Sequence, residues 1–417
     1  MVVRNGVIAA AAAATLLASP ALWAQTTSAP PSEQQSVMLA SDTAPATAPA
    51  PRAPLMGLLG TVGAADPLEK AGINVYGFVE GSYTWNTSGA SKNFGRLFDS
   101  QNNRGQLDQL DLTVERTVDP SKKQFDIGGR MEWIYGSDAG FIHSNGLFDY
   151  YDSPTDPGNQ VDLNQLYVDF AIPVGNGLRL RAGKFVTPMG WETINPTTNA
   201  LFSHSYLFNW AIPFTHTGVV ATYQLNQNWS VEGGVFRGWD QSLDDNNGAP
   251  SYQFKLGYTS TDKKLGVIGQ FVTGPEQPDD TGNFTTVFDF QVSYALTDAL
   301  TIGANADIGG ASSAASDEDT AYWYGIAGYV GYKLSDQFTL NGRGEWFRDD
   351  DGVRIGVAGN YYEVTLGLTV TPFPKDNVLR NFFFRPEFRA DFSDEPVFND
   401  SEDHEQYTLG VDAIFKF

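Results

Sequence analysis

Charged residues recur at every second position inside otherwise apolar stretches. Arg130 and Glu132 lie in GGRMEW, Arg179 and Arg181 in LRLRAGK, Arg343 and Glu345 in NGRGEW, Arg385 in RPEFRAD and Asp307 in GANADI. On a strand, residues two apart share a face, so each set places guanidinium or carboxylate groups in a row. Such rows are costly against lipid and cheap in water, and their chemistry is the guiding and screening of ions. Constellations for bond-breaking chemistry are missing. The sequence has no G-x-S-x-G nucleophile elbow and no H-x-x-x-H pair among its four His. Asp403 and His404 are adjacent, but neighbours on a strand point to opposite faces. Catalytic residues are therefore expected to be none.

The elements that hold these rows are strands. From Gly72 onward the apolar residues keep a period of two. INVYGFVEGSYTW sets Val75, Gly77, Val79, Gly81, Tyr83 and Trp85 on one face, with Tyr76 and Phe78 as exceptions on the other. ALTIGANADI sets Leu300, Ile302, Ala304, Ala306 and Ile308 against Thr301, Asn305 and Asp307. The last residues, YTLGVDAIFKF, set Tyr407, Leu409, Val411, Ala413, Phe415 and Phe417 on one face, with Ile414 as the exception. About sixteen such segments follow one another, of the length a tilted membrane strand needs.

The connections alternate long and short. Long ones fall near 87–106, 137–159, 188–213, 239–250, 274–282, 310–319, 349–358 and 393–404; short ones centre on turns such as VDPSK, TDKK and LSDQ. Sorting of loop lengths by end is the outer-membrane pattern, with short periplasmic turns and longer external loops. The expected fold is all-β: one transmembrane antiparallel barrel of about sixteen strands over 72–417, closed by its last strand against its first. A barrel of that size encloses an aqueous channel, whereas about eight strands would be filled by side chains.

Residues 1–24 read as a secretory signal peptide: Arg4, an apolar run from Val7 to Ala18, then Pro20 and Ala24. Residues 25–71 are a Pro/Ala-rich periplasmic segment with room for one short helix over 55–69. Beyond the leader no apolar run is long enough for a spanning helix. The absence of Cys excludes disulfides and thiolate sites, and the formal charge of -23 argues against nucleic acid. The acidic loops do not follow calcium-loop grammar: aligning Gly352 to the turn glycine puts Phe347 first and Ala358 last. No metal and no cofactor are expected.

If the apolar phase faces lipid, the polar phase lines the lumen. It carries Glu80, Asp111, Glu115, Asp126, Glu132, Asp169, Glu232, Asp289, Asp307, Glu345, Glu363, Glu387 and Asp391, with Arg130, Arg179, Arg181, Lys255, Arg343, Arg385 and Arg389. The acid excess predicts a mild preference for cations. The third long connection, 188–213, has Glu192 as its single formal charge and holds Trp191, Phe202, Tyr206, Phe208 and Trp210. A loop this apolar is expected to fold inward as a constriction, facing Arg179, Arg181 and Lys184 of the preceding strand. Its aromatics would either offer faces to sugar rings and other amphipathic solutes or pack the loop against the inner wall.

GINVYGFVEGSYTWN, LDQLDLTVER, VDLNQLYVDFAIP and GLRLRAGKFVTPMGWETINPTTNALFSHSYLFNWAIPFTHTGV resemble the OmpL-like beta-barrel porins of Gram-negative bacteria, over about residues 55–417. The resemblance implies an outer-membrane porin for passive diffusion of small hydrophilic solutes or ions, without catalytic residues. Its expected partners are outer-membrane lipid and lipopolysaccharide, small solutes, and the assembly machinery that reads a terminal aromatic such as Phe417. Porins of this strand number often trimerise, so a homotrimer is also expected. A solute-specific or tail-gated channel is the alternative, and an outer-membrane surface hydrolase a remote one.

Overall fold

In a computed structural model that describes residues 52–90, 92–149, 158–315 and 319–417, alternation has produced sixteen strands. They are β1 (Asn74–Asn86), β2 (Arg104–Arg116), β3 (Asp126–Gly136), β4 (Gln160–Ile172), β5 (Leu178–Val186) and β6 (Thr215–Gln224). Next come β7 (Trp229–Phe236), β8 (Ser251–Thr259), β9 (Leu265–Pro275), β10 (Phe284–Ala295) and β11 (Leu300–Ala311). The last are β12 (Ala321–Lys333), β13 (Phe338–Asp349), β14 (Gly359–Val370), β15 (Phe382–Ser393) and β16 (Glu405–Lys416). Each pairs antiparallel with its sequence neighbours, and β1 pairs with β16, from Phe78↔Lys416 to Asn86↔Thr408, to close the barrel. The signal segment 1–24 and residues 25–51 lie outside the described residues. Residues 54–61 and 65–70 form two short helices, α1 (Pro54–Thr61) and α2 (Ala65–Lys70), where one was expected.

The two faces divide as the period requires. Leu112, Ile127, Leu166, Phe288, Ile302, Ile308, Ile326, Leu366 and Leu409 are exposed on the outside, and Glu80, Asp111, Asn305, Arg343, Thr365, Arg389 and Asp412 are buried inside. Tyr76, Phe78 and Ile414 occupy the inner phase, which explains why they broke the outer pattern. Two β-bulges add an extra inner residue. Between Glu80 and Gly81 the partner strand inserts Asp108, and between Glu132 and Trp133 it inserts Asn164. Asp108 with Gln109, and Asn164 with Gln165, are consequently buried as consecutive pairs.

Near the external rim the inner phase turns apolar. Ile134, Phe236, Val272, Val287, Trp323, Phe347 and Tyr361 form one buried cluster with residues of five loops. Those loops are L1 (87–103), L2 (137–159), L3 (187–214), L7 (350–358) and L8 (394–404), which contribute Phe98, Ile142, Tyr206, Leu207, Phe208, Ile355 and Phe398 among others, and Trp239 of L4 (237–250) and Ala314 of L6 (312–320) pack against the cluster. The apolar core thus sits inside the outer half of the barrel, and charge is concentrated below it.

Candidate functional site

L3 leaves β5, crosses the lumen and returns to β6, and the wall holds it mainly through its backbone. Its first limb is tied to β10 and β11. The N–H of Gly190 donates to Asp289 (3.3 Å), and the N–H of Trp191 donates to Asn305 (3.1 Å). The Trp191 indole stacks on Tyr329 of β12 with centroids 4.8 Å apart and planes at 12°. Gly303 makes that approach possible, because a Cβ there would run into the indole ring.

Glu192 joins the two limbs. Its carboxylate accepts from Arg343 Nη1 (2.5 Å), from the Ser205 N–H (2.7 Å) and from the Ser205 hydroxyl (2.8 Å). Burial opposes its charge, but Arg343 and the Ser205 hydrogen bonds outweigh it and hold this carboxyl below its usual range. Arg343 also donates to Glu363 (2.7 Å) and to the Ser203 carbonyl (2.7 Å). Burial lowers the pKa of nearby His204.

The far limb lies on β13 and β15. Glu345 accepts from the N–H groups of both Tyr206 and Leu207 (2.7 Å each), and Glu387 accepts from the Phe202 N–H (2.9 Å). Arg385 donates to the carbonyls of Pro196 (3.0 Å) and Asn199 (2.6 Å) and pairs with Asp412. Arg389 donates to the His204 carbonyl (2.6 Å), and the Tyr206 hydroxyl donates to Asp391 (2.8 Å). Leu207–Ala211 winds as a π-helix, from which Ala211 accepts the Trp323 indole N–H (3.0 Å). Trp210 donates to the Gly95 carbonyl (2.7 Å) and its own carbonyl accepts from Arg354 (2.5 Å). Burial pushes the Arg354 guanidinium, stacked near Trp239 and Trp323, down to about 10.

Glu192, Trp191, Tyr206, Arg343, Glu345 and Arg385 therefore meet in one assembly, with Trp210 at its outer edge. The aromatics of L3 pack: Phe202, Tyr206 and Phe208 are buried, and Trp191 is stacked on the wall. The cations that hold the loop are Arg343, Arg385 and Arg389. Arg179 and Arg181 line a cavity beneath the loop with Arg130 and Glu132, and Pro188, Thr193, Ile194 and Asn195 of L3 form part of its lining. Arg181 is committed to Asp169 (2.9 and 2.8 Å) and lies over the Tyr167 ring, and Lys184 pairs with Asp162 (3.0 Å). Asp307 faces Asp289 across the β10–β11 pair, buried, with neither oxygen hydrogen-bonded among the described residues. Asp403 and His404 turn to different partners, Asn399 and the Ser393 carbonyl. Sequence reasoning missed Arg96 and Asp99, an ion pair (2.7 Å) carried into the lumen by L1 and joined to Asp391. It also missed Asp240, which accepts from the N–H groups of Phe214 and Thr215 where L3 ends. No period marks a loop residue, so neither left a signal.

Residues 72–417 match the family model described as "Putative beta-barrel porin-2, OmpL-like". No curated protein matches the chain. Among solved structures, the outer-membrane channel DcaP of Acinetobacter baumannii is similar at 14% identity, TM-score 0.55, over 84% of this chain and 98% of its own. The anion-selective porin from Comamonas acidovorans is similar at 9% identity, TM-score 0.57, over 83% and 99%. OprB of Pseudomonas putida is similar at 12% identity, TM-score 0.54, over 86% and 97%. At these identities the likeness is one of fold.

Proposed function

Because the chain belongs to the OmpL-like beta-barrel porin family and so to the Gram-negative outer membrane, we propose that it is a passive channel for small hydrophilic solutes or ions in which L3 sets the constriction. The observation that carries this reading is the reach of L3. A loop anchored by Asp289, Asn305, Arg343, Glu345, Arg385 and Glu387 stands across the lumen. No catalytic role is assigned to any residue, and Asp403 and His404 are not arranged as an acid–base pair. A mild cation preference is supported by the acids of the external loops, Asp244 and Asp245 in L4, Asp350 and Asp351 in L7, and Asp394 and Glu395 in L8, within a chain of formal charge -23. Assembly as a homotrimer, usual for barrels of this strand number, is part of the same reading.

Single-channel recording of the refolded protein in a planar bilayer under a KCl gradient tests it. Stable steps with a cation-favouring reversal potential are expected. An anion-favouring potential would overturn the selectivity, and the absence of steps from a heat-modifiable, folded barrel would overturn the open-pore reading. That last outcome has its own support, because the apolar cluster of L1, L2, L3, L7 and L8 would close the outer half until those loops part.

A further inference from the structure

The short turns at the periplasmic end carry apolar side chains on their surface. Phe125, Val174, Leu225, Leu296, Leu334 and Phe373 stand in six of the seven turns and are between 45% and 62% exposed. The turn between β8 and β9, with TDKK, is the exception. Leu112 and Leu409, on the lipid face of the wall, are 45% and 47% exposed. The turns therefore form an apolar ring at the periplasmic edge of the barrel. No turn joins β16 to β1, so the ring would be open at that seam. The helices α1 and α2 stand there instead, because they lead directly into β1.

Two glycine turns fix this pair of helices on the barrel. Gly63 (φ 76°) turns α1 into α2, with the Ala64 N–H donating to the Leu59 carbonyl (2.9 Å), and Gly72 (φ 73°) turns α2 into β1. Arg116 of β2 donates through Nε to the Ala71 carbonyl (2.9 Å), and α1 packs on β1. The two helices differ in chemistry. Residues 53–65, APLMGLLGTVGAA, hold no charge, whereas α2 carries Asp66, Glu69 and Lys70, with Arg52 paired to Asp66 and to Glu69 (2.7 Å to the latter). On α1, Met56 is buried, while Leu58, about 200° further round the helix, is 64% exposed and Val62 at its C-cap 76%.

Apolar groups exposed in this way mark a contact surface. A contact with a second copy would occupy one sector of the barrel, and a helix folded into the lumen would bury Leu58 and Val62. The turns carry the same apolar character around nearly the whole circumference, as contact with a membrane requires. We propose that α1 is an interfacial anchor: it lies beside β1 at the boundary between headgroups and acyl chains of the periplasmic leaflet and completes the apolar ring across the seam. Its internal hydrogen bonds let it enter that boundary, while α2 and its charges stay in water. The anchor depends on the outer-membrane location and not on conduction, so the KCl recording and the test below stand or fall separately.

The chain has no Cys, so a single introduced thiol is unique. Leu58→Cys, Val62→Cys, Lys70→Cys on α2 and Leu334→Cys on the turn between β12 and β13 are each labelled with bimane, and the protein is refolded into dimyristoylphosphatidylcholine nanodiscs. Quenching is read with iodide in the water and with lipid that carries a nitroxide close to its headgroup. The labels at Leu58 and Val62 should match the one at Leu334, with several-fold stronger quenching by nitroxide lipid and several-fold weaker quenching by iodide than the label at Lys70. Iodide quenching at Leu58 and Val62 equal to that at Lys70 overturns the anchor. Shelter from both quenchers also overturns it, in favour of a second copy or the lumen as the cover. A label at Leu334 that behaves like the one at Lys70 removes the ring, and with it the continuity that places α1 at lipid. All four side chains are exposed, and each variant is first checked for heat-modifiable folding. If Leu58→Cys does not fold, Val62→Cys decides.

Discussion

Glu345 concentrates in one side chain the way this barrel uses charge. Its carboxylate spends itself on two backbone N–H groups of L3, Tyr206 and Leu207, and so the loop is held by its main chain. Glu345→Gln keeps the size and removes the charge that strengthens both bonds. Hydrogen bonds to charged groups contribute about 1.5–3 kcal/mol each, so the far limb should loosen. Raised conductance and faster amide exchange at residues 206 and 207 are the expected readouts, and unchanged values for both would deny Glu345 its role. At the exit of L3 a different carboxylate responds to pH. Burial raises Asp240 to about 6, opposed by hydrogen bonds from Thr215 and Phe214 and by Lys184. Burial raises Glu276 to about 7, opposed by its bonds from Ser251 and the Trp239 N–H and reinforced by Asp240 and Asp245. Arg354 also lies close to Asp240. In an opened loop both carboxyls would titrate near 4, so the packed loops hold protons to higher pH than the open ones. Packing is therefore favoured as pH falls and weakened as it rises through 6 to 7. Amide protection at Thr215 and Trp239, corrected for intrinsic exchange, should be greater at pH 5 than at pH 8, and Asp240→Asn should flatten the lower part of that profile. Protection that rises with pH would show the ionised carboxylate to be the stronger anchor.

At the scale of elements, L3 lies on a wall built to receive it. Gly303 on β11 is the clearest case, since any side chain there meets the Trp191 indole. Gly303→Val should displace the first limb at the cost of overpacking, about 1–3 kcal/mol, and shift the Trp fluorescence and near-UV dichroism without changing strand content. Unaltered spectra would mean that the Trp191–Tyr329 stack does not seat the loop. The strands themselves were legible because alternation is a local signal that repeats. Observed starts fall close to those expected, and the larger departures have local causes. β2 begins at Arg104, earlier than expected, where the polar run before Leu107 hides the period. β15 begins at Phe382, later than the start near residue 378 that the turn PFPKDN (372–377) leads us to expect, because Leu379–Asn381 first take a 3-10 turn. The bulges escaped notice, since LDQLD and DLNQL place consecutive polar residues where a slip of one cannot be seen. Inward folding of L3 followed from its apolar composition, but its partners did not. Phe202 and Glu387 are 185 positions apart, and no pattern in either segment names the other. The apolar outer core was present in the sequence as Ile134, Trp323, Phe347 and Tyr361 in the polar phase, a signal that only the closed barrel makes interpretable.

For the whole molecule the decisive joint is the seam between β1 and β16, because a barrel without an edge exists only if its last strand finds its first. Phe417 takes part in that closure through its backbone: its N–H donates to the Gly77 carbonyl (2.8 Å), and its carbonyl accepts from the Gly77 N–H (3.0 Å). The ring lies over Gly77 on the far side of the seam, where a Cβ would meet it. It sits at the periplasmic boundary, at the end of the outward row that includes Leu409, Val411 and Ala413. Phe417→Ala separates the two contributions, since it keeps both seam hydrogen bonds and removes only the aromatic. If the ring serves recognition by the assembly machinery, refolding into detergent should proceed as before, while the amount of heat-modifiable barrel in the outer membrane of cells should fall several-fold. Equal losses in detergent and in cells would place the ring in the seam itself. Deleting Phe417 should then add the loss of two backbone hydrogen bonds, about 1 kcal/mol each, which a sixteen-strand closure tolerates in detergent far better than a missing assembly signal is tolerated in cells.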